Sequence, residues 1–325
     1  HNQEVNADLE SHGLQFIQDT LGNQLIPWEE ITSDDIVIVP AFGTTLEIEA
    51  LLKEKGIETA TYDTTCPFVS RVLKRADKLS EQEYSLIIHG KHKHEETRAT
   101  FSHSSEKAPA VVIKDMEEAE VLGAIMKGEK PLEEFYAYFE GRYSKDFDPV
   151  KHLTRFGVIN QTTMLATETQ AITDYLKGVA QEKFGEDNIR DHVADTRDTL
   201  CYATNDNQES THGLLEHSAD IAVVVGGYNS SNTSHLVELC EEKLNTFFIN
   251  SEKEIDGSQS IHHFDLHSKE RVHSTSFLPK TEEVPQIILT SGASCPDAIV
   301  DRVMMRILEF YPGHRDPAEV VEEIT

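Results

Sequence analysis

The sequence predicts an α/β fold built from small, mostly parallel sheets. Short apolar runs rich in Val and Ile alternate with amphipathic helical patterns along the chain. This alternation is typical of parallel strands that are joined by helices. At 325 residues the chain also exceeds the size at which a single core keeps growing, so two or three lobes are expected.

Seven runs are predicted to be buried strands because each is short, apolar and bounded by polar turns. They are DIVIVP at 35–40, SLII at 85–88, AVVI at 110–113, FGVI at 156–159, IAVVV at 221–225, TFFI at 246–249 and QIILT at 286–290. A weaker strand-like pattern, ETATY, occupies 58–62.

Six segments have the apolar spacing of amphipathic helices. They are LEIEALLKEK, which ends at Gly56, FVSRVLKRADKL, MEEAEVLGAIM, TETQAITDYLKGVAQEKF, SHLVELCEEKL and DAIVDRVMMRILEF. Two other segments lack a clear period. The aromatic and charged stretch 133–153 predicts an insertion, and the acidic stretch 313–325 predicts a peripheral tail.

The composition restricts the classes of partner. Lys and Arg number 29 against 58 Asp and Glu, which gives a net charge of −29. This charge repels nucleic acids and anionic membranes, so neither is expected as a partner. No apolar run approaches the roughly 18 residues that a membrane span needs, and no signal-peptide pattern is present. Four cysteines in a chain of this length do not make a disulfide framework, which favours a reducing compartment.

Four predicted strands run into turns rich in hydroxyl and amide side chains. The pairs are FGVI with NQTTM, IAVVV with GGYNSSNTS, QIILT with SGASCP, and ETATY with DTTCPF. In open α/β sheets, ligands bind at the carboxyl ends of strands, where helix starts present free N–H groups. Such turns can bind an anion without net positive charge. Each can also be an ordinary helix N-cap, although NSSNTS has four hydroxyl groups where a cap needs one.

The cysteines and histidines leave several kinds of chemistry open. Cys66, Cys201 and Cys295 lie in turns, whereas Cys240 has the spacing of a core residue in a helix. No CxxC pair supports a zinc finger or a ferredoxin-type site, but a cluster held by distant cysteines stays open. The stretch HGKHKHEET at 89–97 is compatible with a metal site, a proton-transfer site or a polar turn.

Six ordered segments resemble a known family. DTTCPFV, HGKHKHEET, NQTTML, DTLCYATNDNQ, GGYNSSNTSHL and TSGASCPD closely resemble motifs of the LytB (IspH) family of 4-hydroxy-3-methylbut-2-enyl diphosphate reductases. The opening HNQEVNADLESHGLQFI also resembles the HN-x-x-V-N segment of that family. The likeness spans residues 1 to about 310.

The resemblance implies a fold of three similar α/β lobes with a pseudo-three-fold arrangement around a central cavity. The expected boundaries are 1–65 for the first lobe, 66–198 for the second with an insertion near 130–153, 199–312 for the third and 313–325 for the tail. The implied reaction reduces an allylic alcohol diphosphate to isopentenyl and dimethylallyl diphosphate, the last step of the non-mevalonate isoprenoid route. It consumes two electrons and two protons and releases water.

The resemblance also assigns the metal ligands. Cys66 and Cys201 are expected to be two of three thiolates on a [4Fe–4S] cluster, and the third cysteine is expected upstream of His1. Cys295 matches a position that the family fills with a non-ligating small residue, so it is not expected to be a ligand. The adjacent Ser294 is the residue of interest in that motif.

The remaining expected roles concern the substrate. His94 and Glu96 match the H-x-E of the family, in which the His contacts the diphosphate and the Glu, if burial keeps it protonated, donates a proton. His92 and Glu95 have no such match and are predicted to be solvated. The residues expected to line the diphosphate and active-site pocket are His1, His94, Thr162, Thr163, Ser230, Ser231, Asn232 and Ser294.

One position departs from the common bacterial pattern. Phe42 in PAFGTT stands where many bacterial members have a histidine, and the motifs resemble those of the plant and cyanobacterial branch. We expect the ring to shape the apolar side of the pocket. No dinucleotide or flavin fingerprint is present, so ferredoxin or flavodoxin is the expected electron donor. The expected location is the bacterial cytoplasm or, in a eukaryote, the plastid stroma.

Two alternatives are kept. The first is a zinc hydrolase that uses His92, His94 and Glu96 as ligands or base. The second is a diphosphate-binding remnant that holds no cluster. An iron count on protein prepared without oxygen separates both from the reductase.

Overall fold

The α/β class predicted from the sequence is confirmed. A computed structural model of the chain describes residues 3–196, 200–279 and 284–324. It divides into two compact units, which we call the first unit (Gln15–Asn205) and the second unit (His1–Leu14 with Asp206–Thr325). Each unit contains one three-stranded parallel sheet among its described residues.

The described residues form thirteen helices and nine strands. The helices are α1 Gln3–Ser11, α2 Leu46–Glu54, α3 Pro67–Glu81, α4 Glu95–Ser105, α5 Met116–Lys127, α6 Leu132–Tyr138, α7 Pro149–His152, α8 Ala166–Phe184, α9 Ile189–His192, α10 Tyr202–Leu214, α11 Ser231–Glu241, α12 Asp297–Leu308 and α13 Pro317–Ile324. The strands are β1 Ser85–His89, β2 Ala110–Ile113, β3 Phe156–Asn160, β4 Ile221–Val225, β5 Asn245–Ile249, β6 Ile255–Gly257, β7 Ser260–Asp265, β8 Glu270–Ser274 and β9 Ile287–Ser291.

The sheet of the first unit has the order β2-β1-β3. All three strands are fully buried, as expected for parallel strands that helices cover on both faces. The register pairs His89 at the end of β1 with Asn160 at the end of β3. The turns that follow these two strands therefore emerge side by side at one edge of the sheet.

The sheet of the second unit repeats this arrangement with the order β5-β4-β9. Val225 at the end of β4 pairs with Ser291 at the end of β9. The turn GGYNSSN and the turn GASCP consequently lie next to each other in the same way as the two turns of the first unit.

An antiparallel sheet in the second unit was not expected from the sequence. Its order is β6-β7-β8. Ile255 and Ile261 bury one face of it in the core, while histidines and charged residues dominate the other positions. The apolar content of this segment is too low for the pattern of a buried strand. The hydrophobic runs of the sequence therefore do not indicate the antiparallel sheet.

The strand predicted at 35–40 is wrong, as is the strand-like segment at 58–62. The structure has only one parallel bridge there, between Val39 and Asp63, and residues 60–62 form a 3₁₀ turn. Val37 and Val39 are buried, but Ile36 is 67% exposed. The alternating pattern of residues 35–40 turns one side of the segment toward a small core. Within this described segment, the Val39–Asp63 bridge is the single strand-like pair, so no ladder forms.

The stretch predicted to be an insertion contains core residues of the first unit. Phe135 and Phe139 are fully buried, and Phe147 stacks on Phe135 with a centroid distance of 5.2 Å. The predicted lobe boundaries stay a prediction. Among the described residues, no helix is both long enough and apolar enough to cross a bilayer.

Candidate active site

The turn after β1 ends at His94, a predicted site residue that caps the next helix, α4. His94 is the N-cap of α4, and its Nδ1 accepts a hydrogen bond of 3.2 Å from the backbone N–H of Glu96. An imidazole nitrogen that accepts a hydrogen bond carries no proton. The neutral His94 ring therefore carries its proton on Nε2, which can donate to an anionic oxygen.

Glu96 lies in the first turn of α4 and is fully buried. One carboxylate oxygen accepts a hydrogen bond of 2.6 Å from the backbone N–H of Thr162, and the other lies 2.8 Å from the Thr162 hydroxyl. Thr162 is itself 3% exposed. The carboxyl group is thus fixed by two donors of a single residue, in a place that excludes water.

Gln161 joins the turns after β1 and β3. Its side-chain oxygen accepts hydrogen bonds from the Thr97 hydroxyl (2.9 Å) and from the Lys91 N–H (3.0 Å). Its side-chain nitrogen donates to the Thr163 hydroxyl at 2.6 Å. A Cβ on Gly90 would lie 2.6 Å from the Thr97 hydroxyl oxygen, so only glycine fits at the end of β1. Gln161, Thr97 and Gly90 were not among the site residues predicted from the sequence.

The two cysteines expected to bind metal occupy equivalent positions at helix starts. Cys66 is the N-cap of α3, and Cys201 directly precedes α10. Both are half-buried and neither forms a disulfide. The backbone N–H of Cys201 donates to the carbonyl of Thr162 at 3.3 Å, so Cys201 lies beside the residue whose N–H and hydroxyl bind Glu96. A helix start stabilises negative charge, which suits a thiolate ligand.

The other two cysteines are more deeply buried than Cys66 and Cys201. Burial raises the pKa of the Cys240 thiol to about 12, and burial together with Asp297 raises that of Cys295 to about 11. Both side chains belong to the protein interior. A thiol must lose its proton to bind a metal, and a raised pKa opposes this loss. The exclusion of Cys295 from the ligand set stays a prediction.

Phe42 contacts His94, a residue that is predicted to bind the diphosphate. Its ring meets the His94 ring edge-on, with a centroid distance of 5.0 Å and an interplanar angle of 76°. Edge-on contact is a favoured geometry for aromatic pairs. Phe42 thereby fixes the orientation of the imidazole whose Nδ1 caps α4.

In the second unit, the turn after β4 caps α11 through Ser230, whose hydroxyl accepts from the Thr233 N–H at 3.3 Å. Ser231 and Asn232 follow in the first turn and are 4% and 3% exposed. Neither polar side-chain atom of Asn232 has a hydrogen-bond partner within the described ranges, and the same holds for the Thr233 hydroxyl. Buried donors at a helix start are the parts of an anion site.

A predicted residue on the neighbouring turn, Ser294, is exposed. Gly292 of the same turn packs closely against α11, because a Cβ at this position would lie 2.0 Å from the Thr233 hydroxyl oxygen. Gly292 and Thr233 were not among the site residues predicted from the sequence. A glycine two positions after the end of a predicted strand, at the start of a polar turn, was the signal that would have indicated this close approach.

A buried polar group supports the GGYNSSN turn. The Tyr228 hydroxyl donates to the buried Glu254 at 3.2 Å, and Glu254 also pairs with Arg271 of β8. The Tyr228 ring stacks on Phe264 of β7 at 4.8 Å. Burial, and secondarily the Glu254 charge, raises the pKa of Tyr228 well above its usual range, so the phenol stays a donor.

The residues of the zinc alternative are not brought together as ligands. Among the described residues, one group of three His, Cys, Asp or Glu side chains has the spacing of a metal site, and it does not include His92, His94 or Glu96. His92 and Glu95 are half-buried, not solvated as predicted. Burial and the nearby Arg142 lower the pKa of His92, which keeps it neutral. His1 lies outside the described residues.

Comparison with known proteins identifies the family. The model of the LytB protein family matches residues 1–308. The chain belongs to the LytB family. Its relatives include proteins named 4-hydroxy-3-methylbut-2-enyl diphosphate reductase from Gloeobacter violaceus (38% identity, 95% of this chain and 73% of the relative) and Synechococcus strain WH7803 (38%, 95% and 75%). A third, from Prochlorococcus marinus, is 37% identical over 95% of this chain and 76% of its own.

Solved structures share the LytB fold. One, titled as the E-1-hydroxy-2-methyl-but-2-enyl-4-diphosphate reductase from Plasmodium falciparum, matches all of this chain and 85% of its own with a TM-score of 0.64 at 19% identity. Another, titled as (E)-4-hydroxy-3-methyl-but-2-enyl diphosphate reductase, has a TM-score of 0.51 at 22% identity, covering 95% of this chain and 85% of that one. At these identities the likeness establishes the fold.

Proposed function

We propose that this chain reduces 4-hydroxy-3-methylbut-2-enyl diphosphate to isopentenyl and dimethylallyl diphosphate. One observation carries the proposal. Three motifs far apart in sequence meet at Thr162 in the first unit. The backbone N–H of Thr162 donates to the buried Glu96, and the backbone carbonyl of Thr162 accepts from the N–H of Cys201. A buried acid group and a thiol at a helix start are the two groups that a reductive dehydroxylation needs close together.

Cys66 and Cys201 are the residues that would hold an iron–sulfur cluster. A bound [4Fe–4S] cluster would pass on, one at a time, the two electrons that the reaction consumes and that an external donor provides. The fit of these residues to a cluster is judged from the surroundings of the four cysteine thiols. These two cysteines are half-buried at helix starts, whereas Cys240 and Cys295 are buried thiols with raised pKa values. A third ligand is not among the described residues.

Glu96 is proposed to provide the proton that converts the departing hydroxyl group to water. The carbon–oxygen bond breaks, two electrons enter the allylic system, and a second proton adds to carbon to give either product. The two hydrogen bonds from Thr162 hold the carboxyl group in one orientation, so little reorganisation is needed when the proton moves.

The diphosphate is proposed to bind through neutral donors. Ser230, Ser231 and Asn232 lie at the start of α11, where backbone N–H groups and the helix dipole favour an anion. His94 can donate from Nε2 because its Nδ1 is occupied by the cap. Thr162, Thr163, Ser294 and His1 complete the proposed set. Preorganised neutral donors explain how a chain of net charge −29 binds a diphosphate.

The electron donor is proposed to be ferredoxin or flavodoxin, and the location the bacterial cytoplasm or the plastid stroma. Both donors are usually acidic, as is this chain. Like charges slow association, so added salt should raise the rate of electron transfer from such a donor by screening the repulsion.

The experiment that tests the function is an anaerobic assay of protein expressed from the complete gene. We expect brown protein that contains iron and reduces the substrate with a chemical electron donor. Cys66→Ala and Cys201→Ala should lose both iron and turnover. The matched controls Cys240→Ala and Cys295→Ala should retain both, because their thiols are buried and protonated.

Two results would contradict the proposal. Iron content that is unaffected by Cys66→Ala and Cys201→Ala would exclude these thiols as ligands. Tight binding of the diphosphate by iron-free protein, without reduction under any reconstitution, would support the binding remnant instead.

A further inference from the structure

A cluster of metal-binding side chains lies on the antiparallel sheet of the second unit, on residues with no part in the proposed reaction. Asp256, His262 and His273 each offer one ligand atom, and these atoms lie within 4.8 Å of one another. The Nε2 atom of His262 is 3.2 Å from a carboxylate oxygen of Asp256. Asp256 and His273 are exposed and His262 is half-buried, so an ion can reach all three.

The sheet positions the two histidines opposite each other. His262 of β7 and His273 of β8 are a cross-strand pair in the antiparallel register. Their ring centroids are 4.7 Å apart. Side chains that face each other across neighbouring strands are held by the ladder on both sides, so the pair is built into the sheet and does not depend on flexible loops.

A break in the strand register brings the carboxylate to the same place. Ile255 pairs with Ile261, but Gly257 pairs with Ser260, so Asp256 is an extra residue on β6. Such bulges redirect a side chain relative to a regular strand. The Ser260 hydroxyl lies 3.2 Å from the Asp256 carboxylate and 2.8 Å from Nε2 of His273, and it links the first and third members of the cluster.

We propose that Asp256, His262 and His273 bind a divalent transition-metal ion of the zinc class. Two imidazoles and one carboxylate favour zinc and its neighbours over magnesium or calcium, which prefer oxygen ligands. In a tetrahedral zinc site with bonds of about 2.0–2.1 Å, neighbouring ligand atoms lie about 3.3 Å apart. The 3.2 Å separation of the His262 and Asp256 atoms matches that spacing. The net charge of −29 attracts cations.

The ion would connect all three strands of the sheet, with one ligand from each. The same sheet supports the GGYNSSN turn, because Phe264 stacks on Tyr228 and Arg271 pairs with Glu254. His262 and Phe264 are two residues apart on β7, so strand periodicity places them on one face. Metal binding here is therefore expected to stabilise the sheet behind the proposed diphosphate turn, not to take part in the reduction.

The test is equilibrium dialysis of the full chain, with its cluster in place, against Zn²⁺, followed by metal analysis. Wild-type protein should bind one more zinc ion per chain than His262→Ala or His273→Ala. In each variant the affinity of this site for zinc should fall at least about tenfold, because one ligand is lost. Zinc should also raise the melting temperature of the wild type but not of the variants. Excess Mg²⁺ should not displace the ion.

His267→Ala is the matched control, because His267 lies in the turn between β7 and β8, is exposed and pairs with Glu241 outside the cluster. It should bind zinc like the wild type. Asp256→Asn is a conservative change at an exposed position, so it is not expected to disturb folding. It should show the same loss of zinc binding as the histidine variants. Equal zinc binding by the wild type, His262→Ala, His273→Ala and Asp256→Asn would overturn the proposal. Equal competition by Mg²⁺ would do so as well.

Discussion

The turn after β1 in the first unit and the turn after β4 in the second unit are built on the same plan. Each follows the central strand of a three-stranded parallel sheet. Each begins with a glycine, Gly90 or Gly226, and seven residues later a threonine, Thr97 or Thr233, lies so close that a Cβ on the glycine would meet its hydroxyl at 2.6 or 2.5 Å. The backbone of the two turns is thus constrained by the same contact.

The helices that follow also correspond. His94 caps α4 and Ser230 caps α11, each by accepting a backbone N–H of the first turn. Two residues after each cap stand Glu96 and Asn232, both almost completely buried. The two units therefore place a carboxyl group and an amide of similar shape at equivalent points of equivalent turns.

What differs is the neighbouring turn. After β3, Gln161 and Thr162 supply the partners of Thr97 and Glu96. After β9, the positions in the same register are Gly292 and Ala293, which have no polar side chain. The difference teaches that the first turn has its Glu96 and Thr97 side chains paired with the neighbouring turn, which orients a carboxyl group. The second leaves buried polar atoms without partners in the described structure, which suits a ligand.

The largest expected effect comes from the completed turn. Glu96→Gln keeps the size of the side chain and an oxygen that can accept from the Thr162 N–H, but it removes the acidic proton. We expect turnover to fall by about 10²–10⁴-fold, the usual contribution of a general acid. The measurement is the steady-state rate of substrate reduction under anaerobic conditions.

Glu95→Gln serves as the control, because Glu95 is the preceding residue on α4 and is not expected to touch the substrate. It should change turnover little. Wild-type turnover in Glu96→Gln would remove Glu96 from the reaction. An unchanged iron count in both variants is needed to attribute the loss to the proton and not to the cluster.

Next in size is a change in the open turn. Asn232→Leu replaces an amide, whose polar atoms have no partner in the described part of the chain, by an apolar group of similar shape. A hydrogen bond to a charged ligand is worth about 1.5–3 kcal/mol, so KM for the diphosphate should rise about ten- to hundredfold. The free energy of unfolding without ligand should stay the same or increase, because no hydrogen bond is lost. A loss of stability together with an unchanged KM would contradict this view of the turn.

A smaller effect is expected when the support of Glu96 is weakened. Thr162→Val removes the hydroxyl contact of 2.8 Å and keeps the backbone N–H. The free energy of unfolding should fall by about 1–3 kcal/mol, measured by denaturant titration. Thr100→Val on the same helix α4 is the control. The Thr100 hydroxyl is buried and has no partner among the described residues, so that change should be neutral or stabilising. Equal losses in the two variants would show that the hydroxyl contact does not stabilise the turn.

Much of the fold was predictable because burial leaves a local signal. The six strands of the two parallel sheets are continuous apolar runs, and in all six the structure places both ends within one residue of the predicted positions. The antiparallel sheet gave no such signal, since residues such as His262 and Arg271 are polar and partly exposed. The segment at 35–40 had the apolar pattern but no neighbouring strand to pair with.

The candidate site was predictable in its residue types but not in its contacts. The motifs located Glu96 and Thr162, yet the hydrogen bonds between them depend on the register of β1 and β3, which pairs residues about 70 positions apart. The role of Gln161 depends on the same register. Close approaches such as that of Thr233 to Gly292 depend on backbone geometry, which a single sequence does not reveal.

The smallest expected effect concerns the residue that departs from the bacterial pattern. The edge-on contact of Phe42 with the His94 ring is of a kind worth about 0.5–1.5 kcal/mol, so Phe42→His should change KM or turnover by about two- to tenfold. Phe42→Tyr keeps the aromatic edge and should behave like the wild type. If Phe42→His leaves both kinetic constants unchanged, the ring does not orient His94. The imidazole is then oriented by its other contacts, among them its cap on α4.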